Sequence, residues 1–231
     1  MSGRGRSPFS AATLGFLEEL SENNNREWFT ANKERYESLV LDPALSFIQS
    51  MQEPLESIAP HFTAIPKRMG GSLMRVYRDT RFGGKSEPYK TNIGIQFRHE
   101  QAKNVHSPGY YVHIEPGEVF LGVGMWRPEP EPLAAIRRRI AERESEWRGA
   151  SRDRGFARHF ALAGESLTRP PRGYDKDHPA IEDIKRKDFI ALKQLGTRDP
   201  LDPGFRKAVV TAFRAATPYM QFLCKAAGVP F

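Results

Sequence analysis

The sequence predicts an α+β fold in which a central, mainly antiparallel sheet is flanked by N- and C-terminal helices. Three observations carry this expectation. Apolar residues recur at helical spacing as far as Leu55 and again from Glu131. Between residues 92 and 126 they alternate with polar residues and glycine in three separate runs. The links between those runs are too short for helical crossovers, so neighbouring strands must run antiparallel.

Taken in order, residues 1–9 read as a disordered Gly/Arg/Ser tail and residues 10–231 as one domain, because no linker-like change of composition follows. Ser10 is placed to cap a helix over 11–22, with Leu14, Leu17 and Leu20 along one stripe. Asn23, Asn24 and Asn25 stop that helix and can cap the next. There Trp28, Phe29, Tyr36 and Leu39 share a face expected to be buried. Asp42-Pro43 reads as the cap and first turn of a third helix, which Pro54 should bend or end. Residues 73–79 are expected to form a first strand. Three alternating strands follow around Ile93, Tyr110 and Val119, with Glu115-Pro116-Gly117-Glu118 as a hairpin turn. This gives a sheet of about four strands within 72–126.

Helical spacing resumes through Leu133, Ile136, Ile140 and Trp147, and a helix near 151–163 carries Phe156 and Phe160. A Pro/Gly/charged loop over 164–179 leads to a short helix and a further strand near 187–192. Asp202-Pro203 opens the last helix, with Phe205, Val209, Phe213, Met220 and Leu223 apolar and Pro218 kinking it.

Composition bounds the function classes. The net charge of +7 suits a partner with phosphates or an anionic surface, without the density of a histone-like protein. The one cysteine, Cys224, excludes an intrachain disulfide and a cysteine metal cluster, and its apolar neighbours mark a buried thiol. No apolar run approaches the ~20 residues of a membrane span. No apolar segment follows the N-terminal arginines as it would in a secretory signal, so a cytoplasmic location is expected.

The informative stretch runs from Arg68 to Arg98 and holds Arg68, Arg75, Arg78, Arg81, Lys85, Lys90 and Arg98. Arginine stays charged in any surroundings, and its planar fork matches carboxylate or phosphate oxygens two at a time. We therefore take Arg75, Arg78, Asp79, Arg81, Tyr89, Lys90 and Arg98 as candidate ligand-binding residues, with Asp79 as an internal counter-ion and Gly83-Gly84 offering backbone N–H groups. The competing reading is a structural Arg–Asp network that pins the loop and binds nothing. The full phosphate-loop pattern is missing.

Strand parity places Arg75, Tyr77, Asp79, Gln96, Arg98, Tyr111, His113, Glu115, Phe120 and Trp126 on the face opposite the apolar one, together with Gly94, Gly122 and Gly124. A polar, aromatic, glycine-pitted face suits a ligand cleft, unless a helix covers it. Tyr77, Asp79, His113 and Glu115 are the candidate proton-transfer groups, with acid and base unassigned. His113 and Glu115 could face one metal centre, joined by Asp79 or His99. No His-Glu-x-x-His spacing is present, however, strand parity puts His99 on the face opposite His113, and we assign no metal ligands. A serine-hydrolase elbow is absent too.

The run Arg75-Val-Tyr-Arg78-Asp79-Thr-Arg81-Phe82, followed by Pro88-Tyr89-Lys90-Thr91-Asn92, resembles the signature of a bacterial and fungal family catalogued as domain of unknown function 2461. Asn24-Asn25-Arg26-Glu27-Trp28-Phe29 and Pro171-Arg172-Gly173-Tyr174 resemble further features of that family, so the similarity spans nearly the whole chain. It implies no activity, because the family has none assigned. At one place the chain departs. The family usually shows an acidic or amide residue followed by lysine between the Arg-Phe and the Pro-Tyr, and this chain has Lys85-Ser86.

Three function classes remain. The favoured one is a binding or catalytic domain for an anionic small molecule of phosphorylated type, held by the arginine-rich signature. The second is a single-stranded nucleic-acid-binding module, in which aromatics stack on bases and arginines meet phosphates. The third is a structural or partner-binding protein. No cofactor and no oligomeric state can be read from the residues.

Overall fold

A six-stranded, wholly antiparallel sheet carries the fold, in the order β1-β2-β3-β4-β6-β5. Its strands are β1 (Phe62–Thr63), β2 (Ile93–His99), β3 (Gly109–Glu115), β4 (Glu118–Met125), β5 (Ala161–Ala163) and β6 (Phe189–Leu195). This is a computed structural model, and it describes residues 7–78, 87–101 and 106–231. The alternation read from the sequence sets the faces. Ile93, Ile95 and Phe97 of β2, Tyr110, Val112 and Ile114 of β3, and Val119, Leu121, Val123 and Met125 of β4 are all buried to 2% exposure or less. Glu115 pairs with Glu118 across the expected turn, where Gly117 adopts φ +86°, a conformation that costs glycine little. Both edge strands are very short, which limits the unpaired backbone they present.

The N-terminal helices form as capping and proline chemistry dictate. Ser10 closes a capping box with Thr13 on α1 (Ala11–Glu22). The three asparagines then do three jobs. Asn23 Nδ2 donates to Glu19 O, the Asn24 side chain bonds both backbone groups of Tyr89, and Asn25 Oδ1 caps α2 (Arg26–Ala31) by accepting from Trp28 N–H. The expected second helix breaks at Asn32 into α2 and α3 (Lys33–Tyr36). Asp42 is not a helix cap. The chain runs from α3 through a π-helical turn (Glu37–Leu41) into α4 (Asp42–Ser50), because Pro43 lacks an N–H and its ring crowds the carbonyl one turn back, which a widened turn relieves. Pro54 acts as expected, and α5 (Gln52–Ile58) restarts after Met51.

Other expectations need correction. The tail ends sooner than residue 9. Ser7 Oγ donates to Pro200 O, and Phe9 is buried against Phe47 and Phe205 at ring separations of 5.6 and 6.2 Å. A ring of that size gains about 1.5–3 kcal/mol on burial, enough to fix a short end. Phe29 is buried, but Trp28 is only half-buried, lying against Phe16 at 5.6 Å. Residues 73–78 form no regular strand. Leu73 makes one bridge to Ile95, then the chain leaves β2 and Tyr77 bridges Tyr89 instead. The sheet is not confined to 72–126: the further strand expected near 187–192 is β6, and β5 takes the end of the segment expected to be helical, leaving α8 as Arg154–His159.

The C-terminal half completes the helical layer with α6 (Pro130–Glu142), α7 (Glu144–Ser151), α9 (Ile181–Ile184), α10 (Phe205–Ala215) and α11 (Thr217–Ala226). The last helix is thus two, parted at Ala216 beside Pro218. Phe213 of α10 rests on the apolar sheet face, 4.8 Å from the Tyr110 ring and 6.2 Å from Phe97. Trp147 of α7 is buried among Phe189, Tyr219 and Phe222. No helix among the described residues is long and apolar enough to cross a membrane.

Candidate functional site

The face opposite this core holds a cleft of about 380 Å³. Register lays out its floor in rows. Gln96, Tyr111, Gly122 and Leu192 are successive cross-strand partners, and the next row is Arg98, Gly109, Gly124 and Ile190. Gly109, Gly122 and Gly124 form the floor, and Met74, Tyr111, Phe120, Trp126, Ile190 and Leu192 supply apolar walls. The two β4 glycines differ in kind. Gly124 adopts φ +115°, and a Cβ there would sit 2.0 Å from Phe189 O, so the backbone itself requires glycine. At Gly122 a Cβ would meet Leu192 and Tyr111 at an ordinary 3.5 Å, so its missing side chain only leaves the cleft open.

One end of the cleft is cationic. Arg98 stands across from Gly109 on the cleft face, and the Arg127 guanidinium lies 5.0 Å from the ring of Trp126, which is 48% exposed. Buried Asp188 fixes this corner by accepting from Arg127 N–H and Glu165 N–H, both at 2.9 Å. His106 stacks on the Trp126 indole at 5.6 Å. Gln96, Arg98 and Trp126 of the expected face are therefore where parity put them. Arg127 and Gly109 were missed, since neither belongs to a recognisable pattern.

The other end is a hydrogen-bonded chain. A carboxylate can only accept, so His113 Nε2–H donates to Glu115 Oε2 at 3.3 Å, leaving Nδ1 to accept from Tyr111 O–H at 3.1 Å. Thr91 Oγ1 donates to Glu115 Oε1 at 2.5 Å. Burial, then the Glu115 charge, push the Tyr111 phenol up to about 12, against a lowering hydrogen bond from Asn92. The phenol is thus a neutral hydrogen-bonding group near neutral pH. His113, Glu115 and Glu118 each offer a ligand atom within 4.8 Å of the others. The sequence placed His113 and Glu115 on one face and His99 on the other, and the third member is Glu118. His99 is buried on the opposite face, with Nε2 2.8 Å from Pro230 O.

The arginine signature resolves differently from the expectation. Arg75 is not on the cleft face. Leu73 faces the core beside Ile95, so Met74 takes the cleft side, its Sδ next to Gly94, and the chain then diverges. Arg78 is held inward. Its Nε donates to Tyr89 O at 2.7 Å, its terminal nitrogen lies 3.4 Å from Glu87, and its backbone N–H donates to Pro88 O. Tyr89 is no site wall. It is buried, stacked on Phe29 at 4.0 Å and clamped by Asn24, whereas Tyr77 is exposed above it. Lys90 is half-buried. Desolvation, then the charges of Arg75 and Arg78, hold its pKa below the ordinary lysine value. Arg98 lies at the far end of β2 from Lys90, ~17 Å along the strand from Ile93, so these cations form no single patch. Asp79 and Arg81, with Gly83-Gly84 and Lys85, lie outside the described residues.

The model of the conserved hypothetical protein family DUF2461 matches residues 12–222. The chain belongs to this family. No curated protein and no solved structure matches it. In this DUF2461 member the glycine-floored cleft is a concave feature of the sheet among the described residues. In the described part of the signature, residues 76–78 are bonded to 88–90, and Tyr89 stacks on Phe29 of α2.

Proposed function

We propose that this DUF2461 protein binds a small molecule with a flat apolar body and an anionic end, such as a phosphate or carboxylate. The observation that supports this is the glycine-floored cleft on a sheet face that the helices leave open. Removing side chains from the floor lets a planar group lie against backbone, and the aromatic walls supply area while a few polar groups set orientation. The anionic end belongs at Arg98 and Arg127. Among the described residues neither forms an ion pair, whereas Arg78 is committed to Tyr89 and Glu87.

Anilinonaphthalene sulfonate, an aromatic body with one sulfonate, tests the reading by titration against folded protein. Binding should weaken tenfold or more in Gly122→Val, which fills the floor. Arg98→Ala should weaken it by about 1.5–3 kcal/mol, the scale of a hydrogen bond to a charged group. Arg75→Ala should leave it unchanged. Affinity indifferent to Gly122→Val would defeat the proposal. Tight binding of an oligothymidine that collapses with salt would favour the nucleic-acid module instead.

A further inference from the structure

The geometry points to a divalent-cation site at the β3–β4 hairpin end, made by His113, Glu115 and Glu118. Glu115 and Glu118 are direct cross-strand partners, and like charges placed directly opposite destabilise a hairpin unless something neutralises them. Among the described residues no lysine or arginine pairs with either carboxylate, and Glu115 pairs with His113. A bound cation would relieve that repulsion.

The donor atoms are also arranged as ligands. His113 Nε2 and Glu115 Oε2 are 3.3 Å apart, which is the edge of a tetrahedron with bonds of ~2.0 Å, the length of zinc–nitrogen and zinc–oxygen bonds. All three donors lie within 4.8 Å, and Glu118 is exposed and free to close the remaining gap. The surroundings fix the first two. Phe120 stacks on the imidazole at 4.5 Å and 10°, and Thr91 holds the other Glu115 oxygen. Tyr111 Oη sits 3.1 Å from Nδ1, where it can accept the N–H that a metal-bound imidazole carries on its far nitrogen. One imidazole and two carboxylates neutralise a divalent charge and favour a first-row transition ion such as Zn²⁺ or Mn²⁺ over Mg²⁺ or Ca²⁺, which prefer all-oxygen sets.

The test is calorimetric titration of the tag-free full chain with Zn²⁺ and, separately, Mn²⁺, alongside thermal melts. One equivalent of at least one ion should bind and raise the Tm. Glu118→Gln, an exposed and nearly isosteric change that also removes the like-charge pair, should weaken binding tenfold or more while leaving the metal-free Tm the same or higher. His113→Ala should abolish it. In nitrogen-15 spectra of wild type, the His113 proton should move from Nε2 to Nδ1 on adding Zn²⁺, a readout that surface binding elsewhere would not give. The site is overturned if neither ion binds. It is equally overturned if binding is indifferent to Glu118→Gln, or if the His113 tautomer stays unchanged at saturation.

Discussion

Gly124→Ala should be far more damaging than Gly122→Ala, although the two glycines are two residues apart on one strand and both line the cleft. At Gly124 the backbone is at φ +115°, and the added Cβ would lie 2.0 Å from Phe189 O and 3.1 Å from Ile190 Cα. Those atoms are backbone of the neighbouring strand, so relief requires β4 and β6 to separate locally. Holding a non-glycine residue in a sparsely populated conformation costs about 1–3 kcal/mol, and overpacking adds about 1–3 kcal/mol. The sum is a loss of about 2–6 kcal/mol, a large part of a typical domain stability. At Gly122 the contacts are ordinary and no unusual φ is imposed. Alanine there should be neutral or stabilising by about 0.5–1 kcal/mol, because it restricts the unfolded chain. Urea melts with matched slopes measure both. A Gly124→Ala loss below about 0.5 kcal/mol, the range of unremarkable surface changes, would refute the strain argument. An equal loss at Gly122 would refute the assignment of that glycine to the cleft.

Arg78→Ala should cost about 1.5–3 kcal/mol of stability, the scale for a hydrogen bond to a charged group, because Arg78 Nε and Asn24 Nδ2 share the Tyr89 carbonyl. Asn24→Ala should add less than its own separate cost, and an Arg78→Ala melt matching wild type would return this arginine to ligand binding. Stability should also fall above pH 10. Tyr110 and Tyr219 are buried phenols without hydrogen-bond partners among the described residues, and burial raises both above the ordinary value of 10.0. A folded pKa above the unfolded one gives stability that is full below pH 10 and lost as pH rises further. Tyr219→Phe should flatten that loss, and a wild-type stability flat to pH 12 would contradict it.

The sheet was legible because its period is two and one face is fully apolar, which fixes register for β2, β3 and β4 without further information. Much of the cleft was legible for the same reason, since Gln96, Tyr111, Phe120, Trp126, Gly122 and Gly124 follow from parity. Parity failed at residues 73–78, where an apolar run was read as a strand. Only Leu73 belongs to the β2 ladder, so the face assigned to Arg75 and Tyr77 had no sheet to refer to. Nothing local announces that Arg78 turns inward. Its partner, the Tyr89 carbonyl, is brought there by Asn24, some 65 positions earlier in the chain. Glu118 was missed as a cluster member because it was read as a turn residue. Pairing it with Glu115 across that turn would have found it.

The two ends of the cleft face carry opposite charge, and that couples them. Arg98 lies in the Gly109 row, six residues along β3 from Glu115, so cations and carboxylates are separated by ~20 Å along the strand. At an effective dielectric near 20, unit charges at that distance interact by about 0.8 kcal/mol, less where salt screens them. Without a cation, Glu115 and Glu118 each repel an anion held at Arg98 by that order. A divalent cation held by His113, Glu115 and Glu118 cancels the repulsion, so the cation should tighten anion binding and the anion should tighten cation binding by the same factor. Measured together, the two titrations would show whether the cleft and the hairpin end act as one site: equal reciprocal shifts mean they do, and independent constants mean that they share only a sheet.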